Sequence, residues 1–245
     1  MKVALHAHSL WSYDGKWPLG KIARVFGRLG FDAVMMSEHD TGFDPDRFPE
    51  YRAECAAAST SKCQLIPGIE YSSPDNDVHI LTWGLDRFLA EHRPVMETLE
   101  GVRDAGGVAV FAHPIRREAF RLFQPEWVPL LSGIELWNRK SDGLSWGAEA
   151  AQLIAETGLA PTVGMDFHKP RHMYPLTNRF QATSGQGLEA GLVSLIGQGA
   201  QVPCAFGRPI LSQAGSPQGQ HHIMLERLRC QLRDLIRGKK AKGSS

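Results

Sequence analysis

Potential metal ligands stand at the ends of short apolar runs throughout this 245-residue chain, and this pattern constrains its fold more than any other feature. For example, the run at residues 3–5 leads into His6, and the run at residues 65–69 leads into Glu70. Nine ligands occur in this way at seven runs: His6, His8, Asp14, His39, Glu70, His79, His113, Asp166 and His168. Ligands that come from many strands, all at the same end, converge on one polar cavity. The pattern therefore predicts a multinuclear metal site.

Each ligand taken alone also fits a role as a turn former, a helix cap or a hydrogen-bonded polar group. The set as a whole is not explained in that way. His6 and His8 stand two residues apart, as do Asp166 and His168, so both side chains of a pair leave one face of an extended segment and can hold one cation. Six of the ten histidines fall on ligand positions. We interpret the other four as surface residues: His92, His172, His221 and His222.

The composition is that of an ordinary globular protein, with 42% hydrophobic residues, 22% charged residues and a formal net charge of +1. Without a global basic field or an acidic tail, nothing in it indicates a nucleic-acid partner. The four cysteines have no C-x-x-C spacing, which argues against a zinc ribbon or a disulfide framework and fits a reducing compartment. No apolar stretch reaches spanning length, and the first strand leaves no room for a cleavable signal. We therefore expect a cytoplasmic protein with no membrane partner, and the composition indicates no particular oligomeric state.

Strand-like runs alternate with amphipathic stretches, as in βα units around a parallel sheet. Strands are predicted at residues 2–6, 32–37, 64–69, 78–83, 108–112, 133–137 and 161–165. Helices are predicted from Pro18 to Leu29 and at residues 48–59, 95–105, 147–156 and 188–196, most of them followed by glycine. Seven strands are close to the eight of a standard barrel. The predicted fold class is therefore α/β, as a distorted seven-stranded, TIM-like β/α barrel.

The last part of the chain differs from the rest. We predict one domain over residues 1–205, followed by a C-terminal segment over residues 206–245. This segment is predicted to hold a loop at 207–220, a basic amphipathic helix at 222–237 and a disordered tail. The helix is expected to pack against the barrel or a partner subunit, with binding to a membrane surface as the less favoured alternative.

Six separated motifs resemble those of the PHP (polymerase and histidinol phosphatase) family. In order they are His6-Ala7-His8-Ser9, Ser37-Glu38-His39-Asp40, Pro67-Gly68-Ile69-Glu70, Val78-His79-Ile80-Leu81, Ala112-His113-Pro114 and Gly164-Met165-Asp166-Phe167-His168. The resemblance covers residues 1–205. It implies a seven-stranded distorted barrel that carries up to three divalent metals and, in most members, cleaves phosphate esters.

The resemblance also implies a distribution of the ligands over three metal positions that share Glu70 as a bridge. The first set is His6, His8, Glu70 and Asp166, the second is Glu70, His79 and His113, and the third is Asp14, His39 and His168. The implied cofactors are two or three divalent ions of manganese, zinc or iron. Many members have histidine in place of Asp14, and a carboxylate there favours manganese or iron over zinc. The family also commonly has Thr-Asp-His at residues 37–39 and Ser-Asp at residues 165–166, but neither departure removes a ligand.

Metal ions held in this way would suit hydrolysis of a phosphate ester, because they lower the pKa of a bridging water and neutralise charge on the phosphoryl oxygens. Asp166 is the candidate for orienting or deprotonating that water, and His168 or His39 for assisting at the leaving oxygen. Basic residues on the same loops are candidates for phosphate contacts: Arg116, Arg117, Arg139, Lys140, Lys169 and Arg171. Among them we assign substrate binding to Arg116, Arg139 and Lys169.

Several neighbouring residues have supporting roles in this interpretation. Glu135 and Asn138 are predicted to orient ligand imidazoles rather than to bind metal. Trp11, Tyr13 and Trp137 lie at the same rim, where they form either a wall of the substrate pocket or part of the core.

Only about thirty residues separate His79 from His113, which leaves room for one crossover helix and no helical insertion. This spacing favours a small phosphomonoester, as in a histidinol-phosphatase-like enzyme, and the predicted partner is such a phosphorylated small molecule. A phosphodiesterase or nuclease acting on nucleotides is the alternative within the same chemistry. A non-catalytic or polymerase-associated metal-binding module is another. An amidohydrolase of C–N bonds also starts with His-x-His, but it generally uses a carbamylated lysine where this chain has Glu70.

Overall fold

The computed structural model describes residues 1–181 and 187–211, together with Met224 and Leu228. The described chain is mixed α/β. Its strands are β1 (Lys2–Ala7), β2 (Ala33–Met36), β3 (Glu38–His39), β4 (Gln64–Ile66), β5 (Gly68–Ser72), β6 (His79–Trp83), β7 (Val108–Phe111), β8 (Gly133–Asn138), β9 (Pro161–Phe167), β10 (Leu176–Arg179), β11 (Val202–Ala205) and β12 (Arg208–Pro209). Its α-helices are α1 (Leu19–Arg28), α2 (Phe48–Ala58), α3 (Val95–Asp104), α4 (Arg139–Asp142), α5 (Ala148–Thr157) and α6 (Leu188–Gly197).

The five predicted helices are confirmed as α1, α2, α3, α5 and α6, with ends within a few residues of the predicted ones. Helix α1 shows why these stretches are helical. Its buried residues Leu19, Ile22, Ala23 and Phe26 recur every three or four positions, so they form one apolar stripe against the sheet. Shortly after the helix, Gly30 adopts a left-handed backbone with φ of 77°, which reverses the chain toward β2.

The strands form one mixed sheet in which β1 is central. Their hydrogen-bonded order is β12-β11-β10-β1-β9-β8-β7-β6-β5-β3, and β2 pairs with both β1 and β4. Strand β1 is parallel to β2 and β9, but β6 is antiparallel to both β5 and β7. The sheet is therefore not the all-parallel one that alternating βα units suggest.

The described chain has twelve strands where seven were predicted, for two reasons. The strand predicted at 64–69 is interrupted at Pro67, between β4 and β5, and the short strand β3 follows the strand predicted at 32–37, with Ser37 between β2 and β3. Proline has no N–H to offer to a ladder, which accounts for the break at Pro67. Strands β10, β11 and β12 were not predicted, and β12 lies inside the stretch expected to be a loop. The hydrogen-bonded order is an open path with one branch, so the seven-stranded barrel stays a prediction.

Both faces of the sheet are covered by apolar side chains. Val3 and Leu5 belong to one buried cluster with Trp83 and Ile196, while Ala4 belongs to the larger cluster, which includes residues of helices α1, α2, α3 and α5. This alternation follows from the period of two along a strand. With both faces buried, the open ends of the strands are left for polar side chains.

The C-terminal segment is described only in part. Ile210 donates its N–H to the Pro203 carbonyl and is buried in the larger core cluster, so residues up to 211 pack with the sheet. The predicted helix over residues 222–237 lies outside the described residues except for Met224 and Leu228, which are helical and exposed. The predicted tail lies outside them entirely. Among the described helices, none combines the length and the apolar character needed to span a bilayer.

Candidate metal centre

The predicted ligands meet around the buried carboxylate of Glu70. Its Oε1 lies 2.7 Å from His79 Nδ1 and 2.8 Å from His113 Nε2. Its Oε2 lies 3.5 Å from His6 Nε2 and 3.4 Å from His8 Nε2. The two oxygens thus face different imidazoles, which is the arrangement of a carboxylate that links two parts of one centre.

Asp166 completes the part of the centre on the Oε2 side. Its Oδ1 lies 3.6 Å from His6 Nε2 and 3.5 Å from His8 Nε2. A metal with ligands at about 2.1 Å in a tetrahedron holds them about 3.4 Å apart. The spacing of His6, His8, Glu70 and Asp166 therefore fits a divalent cation.

Asp14, His39 and His168 form a further group at the mouth of the same pocket. Asp14 Oδ1 lies 3.3 Å from His39 Nε2, and Asp14 Oδ2 lies 3.0 Å from His168 Nε2. The two imidazole Nε2 atoms are 3.4 Å apart. The group is joined to the rest because His39 Nδ1 lies 3.1 Å from Glu70 Oε2. All nine predicted ligands are thus brought together in one cluster.

The direction of strand β6 explains why His79 meets the other ligands although it opens its strand instead of ending it. Strand β6 runs antiparallel to β5 and pairs His79 with Ser72, the last residue of β5 and two residues beyond Glu70. Strand β3 runs parallel to β5 and pairs His39 with Glu70 directly. The first residue of an antiparallel strand lies beside the last residue of its neighbour. The ligands therefore lie at one common end of the strands.

Three of the predicted ligands have unusual backbone conformations at this end of the strands. The φ angles are 64° at His6, 27° at His113 and 48° at Asp166, in the left-handed region that residues other than glycine rarely adopt. The pairing of β1 with β2 and with β9 shifts register between Leu5 and Ala7, on either side of His6. Bulges and left-handed residues of this kind redirect side chains and concentrate at functional sites.

Hydrogen bonds from the outer ring nitrogens set the tautomers of three ligands. His6 Nδ1 lies 3.0 Å from Glu135 Oε1, and His168 Nδ1 lies 2.9 Å from the Asp166 carbonyl oxygen, so both Nδ1 atoms donate. Their Nε2 atoms then face the pocket. The buried Nε2 atoms of His6 and His8 meet no hydrogen-bond partner among the described residues. A cation bound between these two nitrogens and the nearby carboxylates would provide the missing partner.

The tautomer of His8 is set through Ser12. The Ser12 hydroxyl donates its one hydrogen to the buried carboxylate of Glu38 at 2.6 Å, and it accepts from the His39 backbone N–H at 3.0 Å. Its contact of 3.3 Å with His8 Nδ1 must therefore be accepted from a protonated Nδ1. Glu38 also accepts from the backbone N–H and hydroxyl of Ser9.

The pKa values reflect the close packing of acids and imidazoles. Burial opposes ionisation of Glu70, but the charges of His79 and His6 hold its pKa well below the usual value. Burial and the neighbouring His39 and His168 lower the pKa of His8 well below its usual value. Despite burial, neighbouring carboxylates raise the pKa values of His6 and His168, so these imidazoles would release protons when divalent cations bind, whereas His8 is already neutral.

Six of the predicted ligands line a pocket of about 300 Å³ that also contains two cationic side chains, Arg116 and Lys140; these ligands are Asp14, His39, Glu70, His79, His113 and Asp166. Arg116 Nη1 donates to the Asn76 carbonyl at 2.8 Å and lies 3.2 Å from His79 Nε2. Of the other predicted substrate contacts, Arg139 places its guanidinium 5.1 Å from the centre of the Tyr174 ring, and Lys169 is half-buried. Neither of these two lines the pocket as described, and their roles stay predictions.

The residues predicted to support the ligands or to line the pocket differ in where the structure places them. The structure places Glu135 and Asn138 behind the ligands as expected: Asn138 Nδ2 donates to Glu135 Oε2 at 3.0 Å, and that oxygen accepts the His113 N–H at 2.8 Å. Tyr13 lines the pocket and stacks on His39 with 5.0 Å between ring centres. Trp137 is fully buried in the core, and Trp11 packs mainly on Phe43 and Tyr51.

The interpretation of His172 as a surface residue is wrong. His172 is only 9% exposed, because the 3-10 turn Pro170–His172 folds back over the end of β9. Its Nδ1 lies 3.1 Å from the Asp166 carbonyl oxygen, and its ring packs edge-on against His168. His92 is partly buried, and His221 and His222 lie outside the described residues. Glu38 and Ser12 were not assigned a role from the sequence, although both stand close to ligands in the chain.

Comparison with known proteins identifies relatives in structure alone, since no protein-family model and no curated protein sequence matches the chain. PsfC from Pseudomonas syringae aligns with a TM-score of 0.59 at 12% identity, over 94% of this chain and 97% of its own. A protein from Bifidobacterium adolescentis described as a "putative metal-dependent phosphoesterase" aligns with a TM-score of 0.51 at 17% identity, over 68% of this chain and 87% of its own.

An amidohydrolase from Chromobacterium violaceum, solved with bound sulfate and no metal, also aligns with this chain. The TM-score is 0.51 at 17% identity, over 69% of this chain and 88% of that protein. Similarity at these identities establishes a common fold, and the chemistry must be argued from the residues of this chain.

Proposed function

We propose that this chain, whose fold is that of the PHP-like metal-dependent phosphoesterases, hydrolyses a small phosphomonoester with divalent metal ions as cofactors. The observation that carries the proposal is the position of Glu70, whose two oxygens face different imidazoles, in a pocket that also holds Arg116 and Lys140. A site of this kind, with cation ligands and cationic side chains in one pocket, suits hydrolysis of a phosphate ester.

The ligand geometry supports up to three cations. Glu70 Oε2 with His6, His8 and Asp166 supports one position, and Glu70 Oε1 with His79 and His113 supports a second. The third group is Asp14, His39 and His168. We assign manganese, zinc or iron to these positions because imidazole and carboxylate ligands suit all three metals.

The chemistry divides between the cations and the side chains of the chain. When bound, divalent cations lower the pKa of water and neutralise negative charge on phosphoryl oxygens. Burial would raise the pKa of Asp166, but the charge of His6 and the hydrogen bond from His168 hold it well below its usual value. Asp166 is thus ionised at neutral pH, which suits it to orient the attacking water; deprotonation of that water is the alternative role that we assign to it. We assign His168 or His39 to assistance at the leaving oxygen, and Arg116, which lines the pocket, to binding of a phosphoryl oxygen.

The size and lining of the pocket favour a small ester over an oligonucleotide. A volume of about 300 Å³ is at the lower end of the range for small-molecule sites. The lining is mainly polar. Among the described residues that line the pocket, Tyr13 is the only phenylalanine, tyrosine or tryptophan. A nucleobase would find little apolar surface on which to stack.

We also propose that the strands close into a distorted seven-stranded barrel. Strand β2 pairs with β4, and only Ser37 separates β2 from β3 while only Pro67 separates β4 from β5. With each interrupted pair treated as one bent strand, the pairings run from β1 through these strands to β6, β7, β8, β9 and back to β1. Such a ring would direct the ligand-bearing ends toward one mouth.

The experiment that tests the function compares p-nitrophenyl phosphate with bis(p-nitrophenyl) phosphate, each with added manganese, zinc or iron. We expect hydrolysis of the monoester in preference to the diester, and loss of both activities in Asp166→Asn. Preference for the diester would favour the phosphodiesterase alternative. Metal-loaded protein that hydrolyses neither ester would contradict the proposal and favour a non-catalytic metal-binding module.

A matched pair of variants tests the substrate contact. Arg116→Ala is expected to lower kcat/KM on the monoester by about tenfold or more, the worth of one charge-assisted hydrogen bond, without changing metal content. Arg103→Ala is the control, since Arg103 is exposed and pairs with Asp104 on α3. Equal effects of the two substitutions would remove Arg116 from the site.

A further inference from the structure

Six basic residues were predicted as candidates for phosphate contacts. Among the described contacts of these six, only the charged atom of Lys140 lies close to the proposed metal ligands on the Asp166 side of the pocket. Its Nζ lies 3.2 Å from Asp166 Oδ1 and 3.3 Å from His168 Nε2. Its side chain is 39% exposed, so it reaches the ligands from the solvent side. The ammonium therefore lies where the pocket meets solvent, next to the proposed ligands Asp166 and His168.

The backbone that carries Lys140 is held by residues that also orient a ligand. Asn138 Oδ1 accepts the backbone N–H groups of Lys140 and Ser141, at 3.1 and 3.0 Å, and so caps the single turn of α4. Asn138 Nδ2 donates to Glu135, the carboxylate that accepts from His6 Nδ1. The start of the Lys140 side chain is thus fixed relative to the ligand cluster, while its four-carbon stem leaves the ammonium free to move.

We propose that Lys140 is a substrate-binding residue with two partners: its ammonium neutralises Asp166 when the site holds no metal, and it binds an anionic oxygen of the substrate when the site is loaded. This assignment rests on the proposed function, since it takes the substrate to be a phosphate ester.

The change of partner follows from electrostatics. An ammonium at 3.2 Å from a carboxylate oxygen compensates its charge in the metal-free protein. A divalent cation bound to the same carboxylate repels the ammonium at short range in a partly buried site. The released ammonium stays within the same pocket, where a phosphate dianion offers the nearest favourable partner. Arg116 stands beside His79, on the Glu70 Oε1 side of the pocket, so the two cations would hold the phosphoryl group from two sides.

Its neighbour Arg139 does not compete for this role. The Arg139 guanidinium lies over the Tyr174 ring, and the side chain is not part of the pocket lining. On a single helical turn, adjacent residues point in directions about 100° apart. The Asn138 cap therefore decides that Lys140, and not Arg139, faces the ligands.

The first test measures inorganic phosphate binding to the manganese-loaded protein by isothermal titration calorimetry. We expect Lys140→Met to weaken phosphate binding by about tenfold and Lys140→Arg to restore most of it, because the charge is the essential feature. The control is Lys62→Met, a substitution at an exposed lysine on the loop that follows α2. Unchanged phosphate affinity in Lys140→Met would overturn the proposal.

The second test titrates manganese into the metal-free protein. Lys140→Met should bind manganese more tightly than the parent, by about threefold or more, because no ammonium has to be displaced. Weaker manganese binding in this variant would overturn the counter-ion role. If Lys140→Met does not fold, Lys140→Gln takes its place, since it also removes the charge.

These measurements do not depend on turnover, so the two proposals can fail separately. Phosphate binding that depends on Lys140, in a protein that hydrolyses neither nitrophenyl ester, would reject the proposed hydrolysis and keep the assignment of Lys140. Hydrolysis of the monoester with unaltered phosphate affinity in Lys140→Met would do the reverse.

Discussion

Among single residues, Glu70 is the one that connects the parts of the proposed metal centre. Its two oxygens face different imidazoles, and its side chain is 1% exposed, so water cannot take over its role when it is removed. A buried carboxylate between two cations screens their repulsion as well as binding them. Among the ligands, we therefore assign it the largest individual effect.

Glu70→Ala is expected to reduce kcat/KM on p-nitrophenyl phosphate more than alanine at any single ligand histidine, because it disturbs two cation positions at once. The matched variant is His79→Ala, which removes one contact of the same cluster. Activity of Glu70→Ala within about tenfold of the parent would show that the carboxylate does not bridge, since the loss of one catalytic contact usually costs more.

Among the proposed ligands, Asp14 has the most exposed side chain, at 36%, and it belongs to the group formed with His39 and His168. Burial raises the pKa of Asp14, but hydrogen bonds from His168 and His39 outweigh it and lower the pKa. The side chain is thus an anion at neutral pH and a suitable ligand for manganese or iron.

Asp14→His should retain activity and shift the most effective added metal toward zinc, because imidazole favours zinc where carboxylate favours manganese. The measurement is turnover of the monoester with each metal in turn, for the parent and the variant. An identical order of metals in both would indicate that Asp14 shapes the turn before Gly15 and binds no metal.

At the scale of elements, the loop after β1 is held by a buried polar network. Ser12 connects the Glu38 carboxylate to His8 and to the backbone of His39. Burial raises the pKa of Glu38, and hydrogen bonds from Ser12 and Ser9 offset part of that rise. The loop that carries Asp14 therefore depends on the Ser12 hydroxyl for its position.

Ser12→Ala should lower the free energy of unfolding of the metal-free protein by about 1–3 kcal/mol, because Glu38 and the His39 N–H lose a buried partner. Urea unfolding measures this change, and Ser61→Ala, at an exposed position after α2, is the control. Loss of stability no greater than in the control would mean that the network contributes nothing measurable.

Local pattern was enough to predict the helices, but it could not predict how the strands pair. The apolar stripe of α1 is visible at helical spacing, whereas the antiparallel direction of β6 depends on partners that are distant in sequence. Strand β10, with Thr177, Asn178 and Arg179, has no apolar run to mark it. The bulge at His6 is likewise set by pairing with two neighbours.

For the molecule as a whole, the clustering of the nine candidate ligands was predictable because residue types that bind cations stand at the ends of several strands. The contacts of the long basic side chains were not. Lys140 faces the pocket and Arg139 faces Tyr174 because of a one-turn helix capped by Asn138, a feature that no periodicity reveals. Buried Glu38 also escaped prediction, since burial of an acid depends on the hydrogen bonds that surround it.

The proposed cations would connect distant parts of the chain, from His6 on β1 to Asp166 on β9. Metals that bind only the folded state stabilise it, by about 2.7 kcal/mol at a hundred times Kd. Chelation should therefore lower Tm by about 5–10 °C for a protein of this size. Differential scanning calorimetry with and without a chelator measures this, with recovery on adding manganese. An unchanged Tm in protein shown to have contained metal would contradict this link between the site and the fold.

The metal content of the purified protein tests the account most directly, because every functional argument depends on the cluster around Glu70. Elemental analysis after expression in medium supplemented with manganese, iron and zinc gives the equivalents per chain. The account predicts more than one equivalent in the parent, because nine ligands exceed what one cation can use, and a marked loss in Glu70→Ala. A content near zero in the parent would contradict it.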